Sequence, residues 1–381
     1  MSAWRLKNKK MNFWSRSGSL APVKKIDWIL VGAVLVLCAI GLLTLYSINY
    51  GKPGIIFFKK QVFFVIFGFF LMIGLSFFNF KIFKNYSSFL IILYLLGLTM
   101  LGSLLIFGKP TREVVSWFKI GDLSFEPVEL IKLIIILVLA KYFSLRHIEM
   151  YRARHVIASG IYVIIPAILI LLQPDLGSVL ILAVVWAGLV ILAGIKLRHL
   201  ILVLIGAAVI FSLAWFGALK PYQKERFLTF VNPQRDPFGA SYNLIQSKIA
   251  IGSGGIFGRG LGQGTQGRLD FLPEKHSDFI FAAYAEEWGL VGILFLIAMF
   301  GVLFFRLIKI ARRSDNNFSR IFSAGVCLLI FAEVFINISV TIGLFPITGI
   351  SLPFVSYGGS GLTVNFIALG IVQSIAVRNK S

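Results

Sequence analysis

The chain has 381 residues, 58% of them hydrophobic, and its 37 Lys and Arg outnumber 16 Asp and Glu for a net charge of +21. Apolar runs of about 18 or more residues recur along it, which excludes a soluble globular fold and points to spans in a bilayer. The expected fold class is all-α, a polytopic membrane protein in one domain over 1–381, with the basic excess orienting the chain rather than binding nucleic acid.

The chain opens with Arg5, Lys7, Lys9, Lys10, Arg16, Lys24 and Lys25, so residues 1–26 are expected to stay in the cytoplasm. The first apolar run, near Trp28 to Ile48, is too long for the core of a signal peptide and lacks a small-residue cleavage site; it reads as a retained anchor. About ten spans are expected, at roughly 27–49, 60–79, 86–107, 126–145, 155–172, 177–195, 199–218, 279–308, 320–344 and 355–376. An even number puts both termini on one side. Arg306, Lys309, Arg312, Arg313 and Arg320 mark the clearest inner loop. Cys38 and Cys327 both fall in apolar runs, so a disulfide framework is not expected.

Three places in the first six spans bear on chemistry. Trp117 lies in the outer loop between Gly108 and Gly121, either as a belt aromatic at the interface or as a platform for a sugar ring. Glu129 and Lys132 share a face of the fourth span, where two charges are tolerable if they pair or line a polar cavity. A bridge that pins helices and direct contact with substrate are both open for them. Asp175, in the tight turn Gln173-Pro-Asp-Leu-Gly177, either caps the next helix or faces an outer cavity.

One long extracytoplasmic loop, about 219–278, carries Lys220, Lys224, Arg226, Arg235, Lys248, Arg259, Arg268 and Lys275. Long loops escape the charge rule, so these residues fit either a solvated surface near anionic head groups or a surface for a phosphate-bearing substrate. Ala240 to Ile251 is apolar enough for a helix lying on the membrane. Glycine is dense from Gly252 to Gly267; such backbone forms a nest for phosphate oxygens or simply folds tightly. Gly262-Gln-Gly-Thr-Gln-Gly267 has the spacing of a dinucleotide fingerprint, but no strand precedes it and no helix opens from it, so that reading is rejected.

The run from Leu272 to Gly289 is the most informative. Charged residues end at Asp278 and an apolar span begins at Phe279, so Asp278 meets both water and a membrane-anchored reactant, a position suited to a base. Glu286 lies about 12 Å further along the expected helix, too deep to act on the same group. It and Glu287 are expected to hold the floor of a cavity through helix-to-helix hydrogen bonds. His276 has no second His or Cys at ligand spacing, so no zinc site is expected. Pro346, Pro353 and Ser356-Tyr357-Gly-Gly-Ser360 interrupt the helical pattern near membrane depth, where irregular backbone persists only if protein or a cavity satisfies it. A polar chamber on the outer side follows. No P-loop or Ser-His-Asp signature supports ATP hydrolysis or acyl transfer.

These residues carry a resemblance. Gln246-Ser-Lys-Ile-Ala-Ile-Gly-Ser-Gly-Gly255, Gly264-Thr-Gln266, Phe271-Leu-Pro-Glu-Lys-His-Ser-Asp-Phe-Ile-Phe281 and Leu352-Pro-Phe-Val-Ser-Tyr-Gly-Gly-Ser360 resemble motifs of the SEDS family (shape, elongation, division and sporulation). Gln173-Pro-Asp-Leu-Gly177 and Asn232-Pro-Gln-Arg-Asp-Pro237 add to it, and the Gln246 run favours the RodA-like branch. The resemblance implies a peptidoglycan glycosyltransferase that polymerises lipid II during cell elongation, with the family's essential Asp falling on Asp278. It also gives functional weight to Trp117, Glu129, Lys132 and the pair Lys60-Gln61. Asp175, Gln246, His276, Ser356 and Tyr357 are taken with them as substrate-facing. Ser277 replaces a usual Thr, Glu126-Pro-Val-Glu129 replaces Gln-Pro-Ser-Glu, Ser116 replaces an Arg, and Lys60 replaces an Arg whose fork would grip phosphate at two points.

The implied reaction inverts an α-linked donor in one step, Asp278 taking the proton of the acceptor 4-hydroxyl as undecaprenyl pyrophosphate leaves. No cofactor is called for, with a divalent cation at the pyrophosphate left open. The implied partners are a class B penicillin-binding protein, the elongation machinery and membrane lipids. The implied place is the bacterial cytoplasmic membrane, with both termini inside and the site facing out. The rival readings are a lipid II flippase, whose paired inverted halves are not evident here, and a non-catalytic scaffold.

Overall fold

The computed structural model describes residues 25–50, 55–108, 117–120, 123–146, 153–194, 221–232 and 241–379, together with positions 206, 234, 236 and 239. The basic N-terminus through Lys24, Ser116, the expected span 199–218, Lys220 and Arg235 lie outside the described residues. In chain order the helices are α1 (Trp28–Asn49), α2 (Ile55–Phe77), the short α3 (Lys81–Asn85) and α4 (Ser87–Phe107). A hairpin of β1 (Phe118–Ile120) and β2 (Leu123–Phe125) follows, antiparallel with Phe118 opposite Phe125. Then come α5 (Pro127–Arg146), α6 (Ala153–Leu172), α7 (Leu176–Leu192), α8 (Pro221–Val231), α9 (Tyr242–Gly254), the single turn α10 (Thr265–Arg268), α11 (Ile280–Arg312), α12 (Asn317–Thr341) and α13 (Gly359–Arg378).

Seven of these helices are long and apolar enough to cross a membrane: α1, α2, α4, α6, α11, α12 and α13. Helix α7 is apolar but shorter, and α5 buries Lys132 inside the bundle. The protein is an all-α, multi-pass membrane protein. Nine of the ten expected spans correspond to helices among the described residues. The last begins at Gly359 rather than near 355, because residues 350–358 turn back into the site described below.

Helix α12 sits centrally and touches α5, α7, α9, α11 and α13. Helices α2 and α13 run along each other, with Gly68 admitting the ring of Phe366 and Gly370 meeting the backbone of Met72. Lipid tails are as apolar as leucine, so spans associate through such close packing rather than through a hydrophobic drive. Phe63, Ile66, Phe67 and Phe70 on α2, and Ile91, Ile92, Leu95 and Leu96 on α4, remain exposed for the bilayer to cover. At one end Asp27 caps α1 through the Leu30 N–H (3.1 Å), accepts from Arg306 of α11, and exchanges backbone bonds with the Gln373 amide of α13.

The eighth expected span is not one unbroken helix. Gly289 breaks α11 with φ 61° and ψ −161°, a conformation L side chains rarely adopt. The segment after α9 repairs the break. Leu290 and Val291 donate their N–H groups to the carbonyls of Gly255 and Ile256 (3.0 and 3.1 Å), while Arg259 and Gly260 donate to the carbonyls of Glu286 and Glu287 (both 3.0 Å). Helix α9, expected to lie on the membrane, packs its Leu244, Ser247, Ala250 and Gly254 face into the protein, largely against the start of α11.

Candidate active site

Asp278 stands in the turn immediately before α11, half-buried. Backbone hydrogen bonds hold the turn. The Phe279 N–H and the Ser277 N–H both donate to the Glu274 carbonyl (3.2 and 3.3 Å). The segment 350–358 closes over this turn from the far end of the sequence. Tyr357 donates its N–H to the His276 carbonyl (2.9 Å), and the Ser356 hydroxyl donates to the Ser277 carbonyl (2.6 Å) while accepting from the Leu352 N–H (2.8 Å). Asn337 of α12 donates to the carbonyls of Asp278 (2.8 Å) and Ile350 (2.7 Å). Asp278 Oδ2 faces Gly349, where a side chain's first carbon would lie 3.9 Å away.

Gln61 grips the same loop from α2. Its Nε2 donates to the Ser356 carbonyl (2.9 Å) and its Oε1 accepts from the Gly358 N–H (3.3 Å). It is 1% exposed, and both its amide nitrogen and its amide oxygen hold the loop. His276 stacks on Phe57 (centroids 4.6 Å apart) and its Nδ1 lies 3.3 Å from Asn49 Nδ2; Tyr357 meets Phe57 edge-on. Lys60 stands half-exposed one residue before Gln61. Gln246 is half-buried on α9.

A second constellation lies one α12 turn deeper. Lys132 Nζ donates to Glu129 Oε1 (2.8 Å) and Glu333 Oε1 (2.6 Å), all within the bundle. At 1% exposure Lys132 bridges α5 and α12. Asn365 of α13 lies beside Glu333 and Trp117 beside Glu126. The Glu126 N–H donates to Ser360 Oγ (3.2 Å). Asp175 caps α7 through the Ser178 N–H (3.0 Å) and lies near enough to feel the charges of Lys132 and Glu129; burial raises its carboxyl above the ordinary value. The two constellations share α12 and the loop 356–361. Glu333 and Asn337 sit four residues apart, on one helix face about 6 Å apart along the axis.

The glycine-rich segment has its own acid. Glu286 accepts from the N–H groups of Thr265 (2.7 Å), Gln266 (3.1 Å) and Gly267 (3.3 Å), and Glu287 from the Gly262 N–H (3.2 Å) and the Ser47 hydroxyl. A protein carboxylate therefore fills the nest that the sequence left open to phosphate; Glu286 holds the glycine-rich loop, while Glu287 makes the expected helix-to-helix hydrogen bond, to Ser47 of α1, and also holds the loop. Lys275, one of the loop's expected phosphate ligands, is buried and donates to the Gly267 carbonyl and Asp270 Oδ1 (both 2.6 Å). Among the described residues no group of three or more His, Cys, Asp or Glu is arranged to hold a metal ion. No step below runs through one.

A model of the FtsW, RodA and SpoVE family, described as cell cycle proteins, matches residues 25–381. The chain belongs to that family. The peptidoglycan glycosyltransferase MrdB of Escherichia coli K12 is 38% identical over 288 residues, 76% of this chain and 78% of that one. The probable peptidoglycan glycosyltransferase FtsW of Coxiella burnetii is 35% identical over 367 residues, covering 93% and 96%. Among solved structures, a chain from a peptidoglycan synthase complex described as coordinating polymerization and crosslinking superimposes with TM-score 0.79 at 31% identity, covering 92% of this chain and 97% of that chain. The rod shape determining protein RodA of Thermus thermophilus gives 0.68 at 28%, covering 93% and 98%.

The Ser277-Asp278 turn and the 352–360 loop, both singled out in the sequence, are held together by hydrogen bonds, but two partners escaped the sequence reading. Glu333 and Asn337 both lie within an apolar run. An ionised or amide side chain at that depth was itself the signal, since such groups are expensive in a membrane and are retained for a reason.

Proposed function

We propose that this family member is a peptidoglycan glycosyltransferase that polymerises lipid II, with Asp278 as its general base. The observation that carries the reading is the half-buried carboxylate at the mouth of the bundle, held in place by two loops and a buried asparagine, in a chain whose relatives bear that activity in their names.

The acceptor's 4-hydroxyl loses its proton to Asp278 as its oxygen bonds to C1 of the terminal muramyl residue of the growing strand. The bond from C1 to the pyrophosphate oxygen breaks with its electron pair on oxygen, and undecaprenyl pyrophosphate leaves. Attack opposite the leaving group inverts an α-linked donor to a β-linked product. A base near its acceptor is worth about 10²–10⁴-fold. Confining both lipid-anchored reactants at one interface supplies orientation. Lys60, on the outer half of α2, is the cation placed to meet the leaving pyrophosphate. A divalent cation there is a separate proposal that the residues in place do not themselves call for.

The reading extends to topology and partner. Both termini face the cytoplasm, Asp278 faces outward in the cytoplasmic membrane, and the chain works beside a class B penicillin-binding protein of the elongation machinery. The likeness to a chain of a polymerising and crosslinking complex supports that partner. The test is strand synthesis from purified lipid II by the wild-type chain and by Asp278→Asn. Polymer is expected from the first and none above background from the second, with equal expression and membrane insertion. Substantial polymer from Asp278→Asn removes the base role; none from the wild type, with or without its partner, removes the activity.

A further inference from the structure

We propose that Asn337 is a positioning residue for Asp278, its carboxamide setting the orientation of the aspartate by gripping the two peptides on either side of the site. The proposal rests on the base role given to Asp278. Asn337 is 1% exposed, on the central helix α12, which packs against α5, α7, α9, α11 and α13. Both hydrogen-bond contacts of its Nδ2 are spent on loop carbonyls from distant parts of the chain, Asp278 (2.8 Å) and Ile350 (2.7 Å). An –NH₂ has two hydrogens, so this nitrogen is saturated by the two peptides.

The other end of the amide supports the assignment. Among the described residues Asn337 Oδ1 is buried without a hydrogen-bond partner. A buried unmatched acceptor is destabilising by about 1–3 kcal/mol, which offsets much of what the two Nδ2 hydrogen bonds contribute. What the side chain does supply is a link between the carbonyl of Asp278 and that of Ile350, the residue after Gly349, which Asp278 Oδ2 faces. Releasing the grip lets the turn and the 350–358 loop move relative to each other, and the carboxylate moves with them. Near-attack geometry is sensitive to displacements of about 1 Å, which cost on the order of 10²-fold.

Three substitutions separate positioning from general packing. Asn337→Asp is isosteric but removes both donors; Asn337→Ser keeps one donor and adds no charge; Thr341→Val alters the next turn of the same helix without touching Asp278. In purified full-length protein with lipid II, Asn337→Asp and Asn337→Ser are expected to lower kcat at least tenfold, with KM within twofold and the acid limb of the kcat–pH profile displaced. Thr341→Val is expected to keep kcat within twofold. A kcat within twofold of wild type for both Asn337 variants overturns the proposal. So does a lower rate with an unmoved pH midpoint, because loss of folded protein scales activity without moving that midpoint. Failure of both Asn337 variants to be extracted folded assigns the residue to bundle stability and overturns it too. Asp278→Asn is measured alongside. If it is active the base reading falls; if it is inactive while both Asn337 variants are fully active, only the positioning role falls.

Discussion

Removing the ammonium of Lys132 would leave the carboxylates of Glu129 and Glu333 facing one another inside the bundle. Breaking a buried ion pair by deleting one partner is destabilising by about 3–5 kcal/mol, because the charge left behind has no solvent. Lys132→Met is therefore expected to lower the unfolding midpoint in detergent far more than Glu333→Gln, which keeps an acceptor for Lys132 and leaves Glu129 to balance it. Equal losses for the two would show that the bridge is not the determinant. Half of this arrangement was legible in the sequence, since Glu129 and Lys132 stand three residues apart on one face. The other half was not: nothing in a single chain says that Glu333, some two hundred positions away, closes the bridge. Asn337 announced itself only as an amide in an apolar run; a side chain that bonds to backbone leaves no complementary residue to look for, so its partners could not be read.

Hydropathy marks where a helix is solvated by lipid, and at the level of elements it served well for α1, α4, α12 and α6. It cannot mark a break inside an apolar run. Residues 279–308 read as one span because the composition on both sides of Gly289 is the same, yet the chain changes direction there and borrows carbonyls from Gly255 and Ile256. The glycine-rich segment misled for a related reason. Its backbone does form an anion nest, but the anion is Glu286 from the same protein. Two changes test this reading. Gly289→Ala forces a side chain into a strained φ and against the backbone of Gly258. Glu286→Gln removes the charge facing three N–H groups and turns a donor toward them. Both are expected to raise amide hydrogen exchange over residues 256–268 while leaving α12 protected. Unchanged protection in that segment for both variants would mean that its fold does not depend on the helix break or on the carboxylate.

The whole molecule commits to one orientation in the membrane, and the proposed chemistry depends on it, because the site is served from the side that the 242–279 segment faces. The arrangement of α11 sets the geometry. From Leu290 to Arg306 the helix covers about 24 Å at 1.5 Å per residue, and Arg306, Lys309, Arg312 and Arg313 crowd the far end. An excess of basic residues in a short loop favours that end in the cytoplasm, and the proposed topology then has Asp278 and the loop above it on the outer face. Cysteine labelling decides the matter. Cys38 is buried and Cys327 half-buried within spans, so both can be replaced by Ala and single cysteines introduced at exposed positions. A membrane-impermeant thiol reagent added to intact cells is expected to modify Leu269→Cys, which is 61% exposed, and to leave Arg313→Cys untouched until the membrane is opened. The reverse pattern would turn Asp278 toward the cytoplasm, where no externally displayed acceptor strand could reach it, and the proposed polymerisation would have to be abandoned even if the carboxylate proved essential.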